Sequence, residues 1–341
     1  MNKISKAERL RGDTRPTRLG FLGVGWIGRL RMKSLLETGL VDAVAICDPS
    51  AEMAEEARKL AKSAEVVPSC NALLQHGLDG VVIATPSALH AEQAIEALSR
   101  GIAVFCQKPL GRSKDEVAAV IAAARAADRL LDVDLSYRHT AGMRRIRDII
   151  RAGELGSVFA ADLVFHNAYG PDKGWFYDRS LSGGGCLMDL GVHLADLGLW
   201  TLDFPSVTKV EGRLFRQGLP LRKDETEVED FAVGTIELAM GAVLRLACSW
   251  RLHAGCDAVI SARFHGTEGG AALRNVNGSF YDFVAERYHG TRSETLCNPP
   301  DDWGGRAAVN WARQLAQGHG FDPACEKLFD VAAILDAIFG R

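Results

Sequence analysis

Residues 18–50 read RLGFLGVGWIGRLRMKSLLETGLVDAVAICDPS, and the fold of the chain turns on them. Leu19 to Val24 is an apolar run of strand length. Gly23, Gly25 and Gly28 follow in the G-x-G-x-x-G spacing, then comes a helical pattern, and a second apolar run, Val44 to Cys47, ends on Asp48. Strand, glycine turn, helix, strand and terminal acid, in that order, give this spacing the meaning of dinucleotide binding. The first glycine permits the tight turn. The second admits a pyrophosphate close to the backbone, and the third lets helix and strand pack together. The helix start, at Trp26 and Ile27, offers unpaired N–H groups and a partial positive charge to the phosphates. Asp48 stands where a carboxylate accepts from the adenosine ribose hydroxyls. It favours NAD over NADP, because it repels a 2′-phosphate and neither Pro49 nor Ser50 supplies an arginine. The alternative for Asp48 is an ordinary turn acid at a strand end.

The same rhythm continues outward. Apolar runs at 42–47, 80–84, 102–106 and 130–136 alternate with helical patterns at 27–38, 51–62, 88–99 and 113–127. Alternation of this kind predicts an α/β fold with a doubly wound parallel sheet whose strand C-termini form the ligand edge. After Arg138 the pattern changes. MRRIRDIIRAGELG reads as one helix, SVFAADLVFHNA as a strand, and CLMDLGVHLADLGLWTL as an apolar helix. VTKVEGRLF, VEDFAVGTIELAM, AVLRLACSWRL and DAVISARFHG alternate as strands, with Met240–Gly241 as a hairpin turn, which predicts a large, mostly antiparallel sheet. Residues 286–308 read as irregular loop and about 322–338 as a last helix. The expected division is a flexible tail at 1–17, a nucleotide-binding domain at 18–138 and a second α+β domain at 139–341.

A chain of 341 residues suits two domains, and 47% hydrophobic with 24% charged residues is ordinary globular composition. A formal net charge of −3 gives no basic excess, so nucleic acid and anionic membranes are not expected partners. The eight cysteines contain no C-x-x-C pair and fall largely in apolar runs, so they read as reduced thiols in a cytoplasmic setting, without structural zinc. The first residues lack the apolar core of a secretory signal.

Three residues carry the expected chemistry. Lys108, in AVFCQKPL, ends an apolar run at the ligand edge. Asp189 and His193 lie four apart in GGGCLMDLGVHLADLGLW, which puts both on one face of a helix otherwise made of apolar residues. The alternative readings are a solvated strand-end lysine and a satisfied polar pair bracing the core. No metal site is expected, because H-E-x-x-H and a third ligand are lacking.

The glycine fingerprint, the stretch ATPSALHAEQAIEALSRGIAVFCQKPL, the Tyr137–Arg138 pair and GGGCLMDLGVHLADLGLW come in one order along the chain. In that order the chain, from Arg18 to the final helix, resembles the Gfo/Idh/MocA oxidoreductases. The resemblance implies a Rossmann domain with NAD, and a second domain whose sheet forms a homodimer or homotetramer interface. It implies substrates among sugars, cyclitols and related polyols. Carried over by position, Lys108, Asp189 and His193 match the catalytic residues, and Thr85, Pro86 and His90 match a stretch near the cofactor. Gln107 stands in place of the usual glutamate before the lysine, and Ser87 in place of a common asparagine. The reaction implied is transfer of hydride from a secondary alcohol to NAD. His193 would be the proton acceptor, Lys108 the stabiliser of the alkoxide, and Asp189 the group fixing the substrate hydroxyl or the imidazole. Arg138, His166, Asn167 and Trp175 are further substrate-contact candidates, with Phe176, Asp178 and His139 beside them. Two other activities remain open: a redox-neutral reaction with NAD retained, and a non-catalytic NAD sensor.

Overall fold

The computed structural model describes residues 15–222 and 226–341. The first sheet contains β1 (Thr17–Leu22), β2 (Val41–Cys47), β3 (Glu65–Val66), β4 (Gly80–Ile83), β5 (Ala103–Cys106) and β6 (Leu131–Val133). All its pairings are parallel and the spatial order is β3-β2-β1-β4-β5-β6. Strands covered on both faces have no need to alternate, and β4 and β5 are buried throughout. The helices between them are α1 (Trp26–Leu36), α2 (Ala51–Arg58), α3 (Cys70–Leu73), α4 (Ser87–Ser99) and α5 (Lys114–Ala127). The strand order reverses between β1 and β4, which opens a crevice at their C-terminal ends. Of the tail expected at 1–17, residues 1–14 lie outside the described residues, Arg15 pairs with Asp79 at 2.9 Å, and Thr17 opens β1.

The second sheet has nine strands: β7 (Val158–Asn167), β8 (Val207–Arg216), β9 (Leu219–Pro220), β10 (Phe231–Leu238), β11 (Val243–Ser249), β12 (Ala258–Gly266), β13 (Gly270–Asn275), β14 (Phe283–His289) and β15 (Arg292–Cys297). Their order is β15-β14-β13-β12-β7-β11-β10-β8-β9, antiparallel except where β7 runs parallel to β11. Alternation is clear in β10, where Ala232, Ile236 and Leu238 are buried. Helices α6 (Ala141–Arg151), α8 (Val192–Thr201) and α10 (Lys327–Phe339) pack on this sheet. Gly212 and Gly234 are bare because Ile338 of α10 lies against them; an added Cβ would sit 2.5 and 2.7 Å from its side chain. The other face carries Thr235, Arg245, Asp162 and Arg263 in register. The hairpin expected at Met240–Gly241 joins β10 to β11, with Gly241 at φ +87°.

Two expectations need correction. Residues 286–308 are not irregular loop: they hold the end of β14, all of β15 and the start of α9 (Arg306–Ala316). The polar sequence of β15, RSETLC, hides it, because an edge strand has little apolar surface to bury. Helix α9 packs against α1, β1 and β5 of the first sheet. Its Trp311 is fully buried, 5.7 Å from the ring of Phe105. The apolar helix at 187–201 is also not uniform: Leu187–Gly191 forms a π turn before α8 begins.

Candidate active site

Lys108 follows β5, and its Nζ donates to Asp189 Oδ1 at 2.6 Å and to the Asp189 carbonyl at 2.7 Å. A residue at the edge of the first sheet is thereby bonded to the π turn that leads α8 on the second. A π turn inside a helix is costly and recurs at functional sites. The second carboxylate oxygen, Oδ2, accepts from Trp250 Nε1 at 3.0 Å. Trp250 lies just past β11 and is only 3% exposed. Asp189 therefore holds the lysine. Of the two sequence readings for Asp189, the substrate hydroxyl or the imidazole, the second is corrected: no bond joins it to His193, and its oxygens accept from Lys108 and Trp250 instead.

His193 is 7% exposed and its Nδ1 is buried with no hydrogen-bond partner. Its ring sits 4.9 Å from that of Tyr137, edge to face. Burial pushes its pKa well below the ordinary histidine value, and the charges of Lys108 and Arg31 push the same way. The imidazole is therefore neutral at pH 7. Tyr137 is held between Phe165, Phe283 and Trp303 as well, and burial pushes its phenol pKa above the ordinary tyrosine value. It stays protonated and able to donate.

The glycine turn fits a dinucleotide. Gly23 has φ +77°, and a Cβ on it would meet the Ala84 carbonyl oxygen at 2.5 Å. A Cβ on Gly28 would meet the Gly23 carbonyl oxygen at 2.2 Å. Gly25 differs, since a Cβ there would meet nothing within 4 Å. Open space thus faces the bare second glycine, at the uncapped start of α1, where phosphate oxygens would find free N–H groups. Trp26 flanks it, 62% exposed, and Ile27 follows in the first turn.

Asp48 accepts from Val24 N at 2.8 Å and from Ser50 N at 2.8 Å. It closes the turn through both oxygens, and each retains a lone pair for a ribose hydroxyl. Thr85 bonds Gln93 through its hydroxyl, and Pro86 caps α4. His90 is fully enclosed, with Nδ1 2.7 Å from the Pro109 carbonyl and Nε2 2.7 Å from that of Thr85. It braces the ends of β4 and β5 from beneath the crevice. Gln107 bonds Asp134, which also pairs with Arg31.

The remaining candidates divide. Arg138 is paired through two nitrogens with the buried Asp196 of α8 and lies over the Phe204 ring, so it is committed to that carboxylate. His139 Nδ1 accepts from the Arg144 guanidinium at 2.8 Å. His166 meets the Ser249 hydroxyl at 2.8 Å and stacks on Phe231. Asn167 accepts from Tyr169 N in a local turn, and Asp178 caps the short helix α7 (Arg179–Ser182). Trp175 stacks on Phe176 at 3.8 Å, and Phe176 and Tyr177 set their edges against Trp250. That loop therefore reaches Asp189 by way of Trp250. Sequence reading assigned no role to Trp250, Arg31 or Asp134; each is an isolated polar or aromatic residue whose partners lie far off in the chain.

Residues 17–135 match the family model described as oxidoreductase family, NAD-binding Rossmann fold, and residues 143–272 match the GFO/IDH/MocA C-terminal domain. The D-glucoside 3-dehydrogenase of Escherichia coli (strain K12) is 27% identical over 76% of this chain and 77% of its own. The inositol 2-dehydrogenase of Acidiphilium cryptum (strain JF-5) is 27% identical over 75% and 73%. Among solved structures, GenD2 from gentamicin A biosynthesis in complex with NAD superposes with a TM-score of 0.80 at 25% identity, covering 96% of this chain and 94% of that one. With a glycine turn shaped for a dinucleotide and a lysine and histidine at its edge, the chain belongs to the Gfo/Idh/MocA oxidoreductases and binds NAD.

Proposed function

We propose that this enzyme interconverts a secondary alcohol and a ketone on a sugar, cyclitol or related polyol, with NAD as the hydride carrier. The observation that carries this reading is that Lys108, just past β5 of the first sheet, is bonded to Asp189 in the turn that leads α8, and that its charge acts on the neutral His193 imidazole of that helix. NAD, when bound, accepts the hydride from the alcohol carbon. The chain's own residues manage the proton and the charge. His193, neutral and open at Nε2, takes the hydroxyl proton. Lys108, held by Asp189, donates to the oxygen as it becomes an alkoxide. Asp189 is a positioning residue, and Trp250 fixes it in turn. In the reverse direction the imidazolium returns the proton to the carbonyl oxygen. Aromatic faces on the 169–178 loop, Trp175 above all, suit the C–H faces of a sugar ring. The relatives named for glucosides and inositol support the substrate class.

In this reading residues 18–138 hold the cofactor and residues 139–341 hold the substrate. Asp48 favours NAD over NADP. The open face of the second sheet, with Thr235, Arg245 and Asp162, serves as the contact between subunits of a homo-oligomer. The free cysteines fit a cytoplasmic setting. The test is to incubate the purified enzyme with NAD and a panel of inositols, hexoses, sugar acids and glycosides at neutral pH. Accumulation of NADH with a polyol is the expected result. Cleavage of a glycoside without net NADH would replace this reading with the redox-neutral one.

A further inference from the structure

Glu229, in VEDFAV, is 1% exposed and lies two residues before β10. A carboxyl enclosed in this way costs free energy unless its oxygens find donors. Its donors come from one place. Three consecutive N–H groups at the start of the helix that carries Asp189 all donate to this residue. Gly185 and Leu187 bond the side-chain Oε1 at 2.8 and 2.9 Å, and Cys186 bonds the main-chain carbonyl at 3.0 Å. Burial pushes the carboxyl pKa up, and the bonds from Gly185 and Leu187 pull it back. Gly185 is bare because a Cβ there would sit 1.9 Å from the Glu229 carbonyl oxygen.

The N–H groups that open a helix have no partner inside it. A residue that accepts from three in a row fixes where the helix starts and how it is turned. Asp189 follows Leu187 by two residues, and its own N–H donates back to the Gly185 carbonyl at 3.1 Å. The next residue along, Asp230, holds a second element: its carbonyl accepts from the Trp250 N–H at 2.8 Å. The Glu229–Asp230 pair thus seats both the turn that presents Asp189 and the tryptophan whose indole bonds the Asp189 carboxylate. Lys108 Nζ finds both of its acceptors on Asp189, the carbonyl and the carboxylate. Where that turn sits decides where the ammonium sits.

We propose that Glu229 is a positioning residue for Lys108: it clamps the first turn of the Asp189 helix and so holds the lysine ammonium at one place on the ligand edge. The inference rests on the reading of Lys108 as the group that stabilises the alkoxide. Glu229 acts only through the turn from Gly185 to Asp189.

The first test needs no substrate. An ammonium tied to two oxygens reacts slowly with an N-hydroxysuccinimide ester, because acylation needs the nitrogen lone pair. The parent, Glu229→Leu and Glu229→Asp are labelled without cofactor, and each lysine is followed by peptide mass spectrometry. Leucine keeps the bulk and removes the acceptor. Aspartate keeps the charge, so it covers poor folding of the leucine variant, but its carboxylate ends one methylene short of the two N–H groups. Lys108 is acylated about ten-fold faster in both variants, the scale of one lost charge-assisted bond. Half-buried Lys114, at the start of α5, keeps its parent rate. An unchanged Lys108 rate in the aspartate variant, or an equal rise at Lys114, overturns the proposal.

The second test is a cycle with Lys108→Met, run on the polyol that yields most NADH in the panel above. Glu229→Asp lowers the parent kcat by about ten-fold and leaves NADH affinity unchanged. Added to Lys108→Met, it leaves the residual rate within about two-fold, because no lysine remains to be placed. A residual rate that falls as far as the parent's overturns the proposal. Parent turnover in Lys108→Met alone would instead end the catalytic reading of the lysine, and the labelling rates would still decide whether Glu229 holds it.

Discussion

The indole N–H of Trp250 donates to Asp189 Oδ2 at 3.0 Å, on the opposite side of the carboxylate from the lysine that Asp189 holds. A bond to a charged acceptor is among the stronger ones, worth about 1.5–3 kcal/mol. Trp250→Phe keeps the ring packing against Phe176 and Tyr177 and removes only the donor. The freed carboxylate no longer fixes Lys108. We expect kcat to fall by about ten-fold or more, with NADH affinity unchanged, in steady-state assays and fluorescence titration. Equal losses in both would mean that Trp250 only supports the fold.

Lys108→Met and His193→Ala separate chemistry from binding. Each removes a group expected to act on the substrate oxygen, and general acid–base assistance contributes about 10²–10⁴-fold. Turnover drops by that order in each variant while NADH still binds. Turnover within two-fold of the parent for either variant, as a rough limit, would remove that residue from the mechanism.

The three fingerprint glycines respond differently to one added methyl. Gly25 faces open space and has φ −58°, which any residue adopts. Gly25→Ala keeps the melting temperature and weakens NADH binding, because the methyl fills the phosphate's place. Gly28→Ala puts a Cβ 2.2 Å from the Gly23 carbonyl oxygen, and overpacking of that kind costs about 1–3 kcal/mol. Thermal melts with and without NADH distinguish the two.

His139 makes the fold sensitive to acid. Burial first, and then the charges of Arg144 and Arg138, push its pKa down to about 4. An unfolded histidine titrates near ~6.5, so between those values the unfolded chain binds a proton that the folded chain refuses. The stability from this residue is complete above about pH 6.5 and is lost as the pH falls toward 4, with a limiting slope of about 1.4 kcal/mol per pH unit. Urea melts at pH 7 and pH 5 should show a smaller loss for His139→Asn than for the parent. His90 and His193 are depressed too, but they contribute equally to both chains and cancel in the difference.

Much of the first sheet was legible because its signals are local. The turn needs Gly23 within a residue or two of the strand it ends, and the apolar runs need only their own neighbours to read as buried strands. Lys108, Asp189 and His193 could be picked out for a related reason: polar residues inside apolar stretches stand out. The partners of these residues were not legible. Asp189 was expected to fix either the substrate hydroxyl or the imidazole four residues on, in a regular helix. The π turn at Leu187–Gly191 and the arrival of Trp250 from β11 gave its oxygens other partners. Arg138, expected near substrate, found Asp196 in the same way.

Helix α9 marks the same limit at the scale of a domain. Its residues lie beyond the second sheet in the chain, yet Trp311 fills the core of the first, over Gly80. The sequence by itself determined the parallel sheet, the nucleotide turn, the alternating second sheet and which polar side chains stand out as candidates, since each depends on spacing within a few residues. Only the tertiary structure decided which carboxylate holds the lysine, which one the Gln107 amide meets and which core receives Trp311. Those outcomes depend on contacts between segments far apart in the chain. A buried polar group takes whatever partner the packing brings within reach, and spacing along the chain carries no record of that choice.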